Sequence, residues 1–138
     1  MGFVAGCAGA PPRTRVAGHP PIQVGQEFIL EAGDSARIGD TNLVLMFDSV
    51  SEDSRCPRDV ACIWEGNARL KLILREYASM DAGAVEVLDE NLELNTSGRF
   101  AQRRKIPVGS LLLRALAPVP PLDTSKKYVA TLVIEAAP

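Results

Sequence analysis

The chain reads as all-β: a sandwich or a Greek-key barrel of about seven or eight short antiparallel strands, with one disulfide-clasped loop. Three observations lead there. Apolar residues recur with a period of two, as in "NARLKLILREY", where Leu70, Leu72 and Leu74 alternate with Arg69, Lys71 and Arg75. The apolar runs are short, and turn residues such as Gly33-Asp34 and Gly39-Asp40 separate them. No segment carries a sustained helical stripe with caps at both ends.

Phe28 and Leu30 open the first strand, and "SARIG" is a short second one. "TNLVLMFDSV" is a continuous apolar run, which suits a strand buried on both faces. "NARLKLILREY" follows with one face for the core and one for water. Val85 and Val87 begin another alternation, but Leu92 and Leu94 fall in the opposite phase, so a turn or bulge is expected around Asp89 to Asn91. "VGSLLLRAL" and "YVATLVIE" supply two late strands, although "LLLRAL" alone also fits a helical turn. Between them "APVPPLDTSKK" must be a loop, because its prolines cannot join a central ladder.

A length of 138 residues fits one domain whose core needs neither disulfide nor metal to fold. The net charge of -2 and the scattered cations leave no footprint for a nucleic-acid partner. The N-terminus differs in composition. "VAGC", Val4 to Cys7, looks like a bacterial lipobox, which would make Cys7 the site of lipidation and membrane anchoring. Only six residues precede Cys7, too few for the basic and apolar parts of a secretory signal, so either further sequence belongs upstream or the match is accidental. Ala8 to Gly25 is rich in proline and glycine without apolar periodicity, as a semi-extended tether would be. The expected organisation is therefore a lipobox-like start and tether over residues 1–25 and one β domain over 26–138.

The densest chemistry lies in "DSRCPRDVACIWEG", Asp53 to Gly66, which holds two of the three cysteines and the only tryptophan. A zinc or copper site needs three or four ligands drawn mainly from Cys and His, but the single histidine, His19, and Cys7 both lie in the tail. Thiol redox chemistry uses a closer Cys-x-x-Cys pair at a helix N-terminus; here five residues intervene and no helix follows. The structural reading asks least. In an exported protein Cys56 and Cys62 would oxidise together, closing a short loop that Pro57 already stiffens. If Cys62 and Trp64 lie on a strand they share a side, so the indole would pack by the disulfide and cover the end of the core. Gly66 then permits a bulge or close backbone approach before the next strand.

The pattern Asp-Ser-Arg-Cys-Pro, then Cys62, Trp64 and Gly66, resembles that of a family of small, β-rich bacterial lipoproteins and secreted proteins of uncharacterised function. "FILEAGDSARI" corresponds to the segment before the motif in that family, and "LLRALAPVPPLDTSKKYVATLVIE" to the closing one, so the resemblance covers about Gln26 to Glu135. It implies an exported, often lipid-anchored β domain. It implies no activity.

Asp53, Arg55, Arg58, Asp59, Trp64 and Glu65 cluster around the clasp, and a rigid charged loop is the best recognition surface in the sequence. Asp53 and Arg55 could equally pair with each other, or with Glu65, to fix the loop; this structural role is the favoured one. Asp48, Glu52 and Asp53 lack the spacing of a calcium loop. "RFAQRRK", Arg99 to Lys105, is the one basic run; it could take a phosphate, an anionic glycan or lipid headgroups, but reads first as a solvated loop. Together these features predict a non-enzymatic module of the bacterial cell envelope, lipid-anchored through Cys7, that binds an envelope protein or ligand with end loops. Neither a catalytic residue nor a cofactor or metal is expected. The alternatives are a protease inhibitor acting through the same loops and, behind it, a thiol redox enzyme.

Overall fold

In the computed structural model, residues 19–81, 85–123 and 125–137 are described. Cys7 and most of the tether therefore lie outside the described residues. Eight strands run in chain order: β1 (Phe28–Glu31), β2 (Ser35–Arg37), β3 (Leu43–Asp53), β4 (Ala68–Tyr77), β5 (Glu86–Asn95), β6 (Arg103–Ile106), β7 (Gly109–Ala117) and β8 (Val129–Ala136). Among the described residues there is no helix. The strands form two antiparallel sheets, ordered β1-β8-β7-β6 and β2-β3-β4-β5. This is the sandwich, and every strand pairs only with its neighbour in sequence except β1, which returns to pair with β8.

Period-two alternation decides the inner faces. Leu70, Leu72 and Leu74 of β4 are fully buried, opposite Leu45 and Phe47 of β3 and Leu92 and Leu94 of β5. The other sheet contributes Leu111, Leu132 and Ile134 to the same core. The apolar run of β3 is buried on both faces only at its start, where Leu43, Val44 and Leu45 are all covered. A turn with Gly33 leads into β2 and one with Gly39 leads out, as their sequences require.

Four irregularities mark where alternation fails. The pairing of β3 slips between Phe47 and Ser49 and again between Val50 and Glu52. In β7 it slips between Leu113 and Ala115, so Leu113 and Leu116 both reach the core across an extra residue. That three-residue spacing is why "LLLRAL" mimics a helical turn; the segment is a bulged strand. In β5 the slip falls between Glu86 and Leu88, ahead of the expected place, and Asp89 to Asn91 pair regularly with Arg75 to Ile73.

Two segments depart from expectation. The end of the basic run read as a loop, Arg103 to Lys105, belongs with Ile106 to the edge strand β6. The packed domain also reaches back past Gln26: Ile22, within the segment read as tether, is 1 % exposed and bridges Ile38 in parallel. Its amide donates to the Arg37 carbonyl, and Gly25 donates to that of Ile134.

Candidate functional site

One end of the sandwich is built from three loops: the clasp between β3 and β4, the loop between β5 and β6, and the proline-rich loop between β7 and β8. Cys56 and Cys62 are joined by a disulfide. The clasp projects from the end of the sandwich, and every residue from Arg58 to Glu65 is exposed. Its tip is a tight turn, in which the Val60 amide donates to the Pro57 carbonyl and Asp59 takes a φ of 70°.

The base of the clasp is tied down by buried polar groups. Arg55 grips Asp53 with two charge-assisted bonds, Nε to Oδ1 at 2.9 Å and Nη2 to Oδ2 at 2.7 Å. The same guanidinium donates to the carbonyls of Leu116 (2.7 Å) and Pro118 (2.8 Å), and Tyr128 Oη donates to Asp53 Oδ2 at 2.9 Å. The Asp53 and Arg55 side chains are only 6 % and 11 % exposed. Burial pushes the Asp53 carboxyl up, but the bonds from Arg55 and Tyr128 outweigh it, so its pKa lies below the ordinary carboxylate value. Burial, with Asp53 nearby, raises that of Tyr128. Asp53 and Arg55 thus serve as internal struts between the clasp and the β7–β8 loop, while the exposed part of the expected recognition cluster is Arg58, Asp59, Trp64 and Glu65.

Behind the clasp, Asn67 closes the core. Its Nδ2 donates to Asn95 Oδ1 and its Oδ1 accepts from the Ser97 amide, with Asn67, Asn95 and Ser97 all buried. Asn95 in turn donates to the Ala101 carbonyl, which fixes the β5–β6 loop. Gly66 sits at φ 73°, and a Cβ there would collide with the Ser54 carbonyl, so the close approach foreseen for it is real.

Trp64 does not cover the core. It is 40 % exposed, with the Arg99 guanidinium 5.0 Å from its ring centroid. Ile63 and Trp64 form a bend and Cys62 lies outside any strand, so the same-side rule for alternate residues does not apply, and the asparagine pair already occupies the end of the core. Beside the indole lies an open cleft of about 430 Å³, lined also by the disulfide, Ile63, Glu65 and Arg99.

Sequence reasoning missed the apolar character of this end. Val60 is 54 % exposed and Ile63 is fully so, and Phe100, Val119 and Leu122 are exposed on the neighbouring loops. The signal was present: apolar residues inside segments too turn-rich to be strands have no inner face to occupy. The loops touch, since the Arg58 amide donates to the Pro120 carbonyl and Arg99 stacks on Trp64. Among the described residues, no three His, Cys, Asp or Glu side chains gather as a metal would need. Compared with models of known protein families, with curated proteins and with solved structures, the chain matches none.

Proposed function

We propose that this chain is a non-enzymatic recognition module of the bacterial cell envelope, tethered through Cys7 and working through the three loops at the clasp end. The observation that carries the reading is the gathering of exposed apolar side chains, Val60, Ile63, Trp64, Phe100, Val119 and Leu122, on loops that are already cross-braced. Exposed apolar surface held on a rigid scaffold is the form that contact sites take. Because disulfide, turn and struts order the loops beforehand, binding costs little further chain entropy. A disulfide also accords with an oxidising compartment outside the cytoplasm. An inhibitor would fit a projecting loop, but a tight turn at residues 57–60 is poorly shaped for a cleft that takes extended chains.

The test is retention on envelope fractions of the native host, comparing the full chain in a Cys7→Ser background with the same chain carrying Ile63→Ser and Trp64→Ala. The reading expects the parent to be retained and the variant to wash off; equal retention of both would move recognition away from this end. Separately, the anchor reading expects the full gene product to partition into detergent and Cys7→Ser to abolish that.

A further inference from the structure

We infer that the surface this end docks against is a phospholipid bilayer with anionic headgroups, the apolar clasp tip entering the interface while flanking cations meet the phosphates. The inference rests on the end-loop reading above and names its partner.

Shape is the first argument. Ile63 is 106 % exposed and Val60 54 %, so both side chains stand out from the surface, Ile63 at the rim of the open cleft beside Trp64. A protein partner would need a pocket for such a projection, whereas a fluid acyl boundary adapts to it. Beyond the disulfide the clasp also carries Trp64, an amphipathic ring of the kind enriched at membrane–water interfaces.

Charge is the second. Arg58, Arg99, Lys126 and Lys127 are exposed on the same three loops. Of the carboxylates there, Asp53 is neutralised by Arg55, while Asp123, which accepts from the Ser125 amide and hydroxyl, keeps its charge. Asp59 and Glu65 are exposed in the clasp itself. With four such cations against three carboxylates, these loops carry an excess of one positive charge in a chain whose net charge is -2. Long basic side chains can lie along apolar surface and still place their heads among phosphates.

Direction is the third. Ile22 lies beside Ile38, at the end remote from the clasp. The chain before it runs back toward the clasp: His19 Nε2 sits 2.7 Å from the Ile29 carbonyl, and Ile29 pairs with Thr131 of β8. The described chain thus begins level with the middle of β8 and not at the end remote from the clasp.

Trp64, as the only tryptophan, is a built-in reporter. The full oxidised chain with Cys7→Ser, which removes any lipid, is titrated with vesicles of phosphatidylglycerol and phosphatidylethanolamine, and with phosphatidylcholine alone, and followed by Trp emission and co-sedimentation. The expected result is a blue shift and co-sedimentation with the anionic vesicles only, weakened about tenfold or more by Ile63→Ser and about fivefold by Lys126→Gln or Arg58→Gln. Ile29→Ser, 55 % exposed but on β1, should change nothing. Absence of binding at about millimolar anionic lipid, or binding that survives Ile63→Ser, overturns the inference. If the parent ignores vesicles yet still holds envelope fractions through Ile63 and Trp64, the partner is a protein and the end-loop reading stands. If it holds neither, both readings fall.

Discussion

Replacing Arg55 by alanine should be among the most damaging single changes outside the core. The guanidinium makes four hydrogen bonds, two to Asp53 and one each to the Leu116 and Pro118 carbonyls, all between 2.7 and 2.9 Å. Its loss leaves a carboxylate that is 6 % exposed with only the Tyr128 hydroxyl and the long bond from residue 55's own amide, and two carbonyls without their donor. Breaking a fully buried ion pair costs about 3–5 kcal/mol, and the slight exposure of this one argues for the lower end, about 3 kcal/mol. In a domain of this size that is a fall in Tm of about 10 °C. The assay is thermal and urea unfolding of parent, Arg55→Ala, Asp53→Asn and the double variant, at pH 7 and again near pH 3. In the parent the folded-state pKa of Asp53 is depressed, so its contribution is present above the unfolded carboxylate pKa of about 3.9 and is lost as pH falls through the folded value. In Arg55→Ala the main downward pull on that pKa is gone and burial remains, so protonation relieves the stranded charge. The difference between parent and variant should therefore shrink in acid. The double variant should lose less than the two single losses combined. A loss below about 1 kcal/mol, or one that stays constant between pH 7 and pH 3, would refute the strut.

Opening the disulfide with Cys62→Ala removes a seven-residue loop closure worth about 2.4 kcal/mol on the chain-entropy relation. The expected outcome is a lower Tm by calorimetry with the far-UV spectrum intact, because the core lies between the sheets and not in the clasp. Gly66→Ala should cost about 2 kcal/mol or more, since it adds a Cβ against the Ser54 carbonyl at a left-handed φ; unfolding within about 0.5 kcal/mol of the parent would show that the clasp base relaxes freely.

The sequence made much of the sandwich legible because a half-buried strand must alternate. β4 shows this without interruption, and its leucines sit where the pattern puts them. Where pairing slips, the pattern misleads: the extra residue in β7 turned alternate spacing into a three-residue spacing, and Leu92 and Leu94 changed phase because β5 bulges. β6 was invisible for another reason. An edge strand with Arg103, Arg104 and Lys105 buries almost nothing before Ile106, so hydrophobicity cannot announce it. The clasp and its disulfide were legible from local spacing. The reach of Arg55 to carbonyls more than sixty residues away was not, because only the fold brings β7 beside the clasp. Trp64 was misplaced by treating a bend as a strand.

The strand order also sets a timetable for a chain that emerges end-first from a ribosome or a translocation pore. The sheet β2-β3-β4-β5 has all its members once Asn95 is out, but β1 has no sheet partner until Val129 appears. For more than thirty residues of emergence, the leucine face of the first completed meander has at most the β6–β7 hairpin to cover it. The closing pair must then bridge about 100 residues, a slow step by the entropy of ring closure. Interrupted synthesis or a C-terminal truncation before β8 would thus release a half-built molecule with an incompletely covered apolar sheet, the species most prone to aggregate.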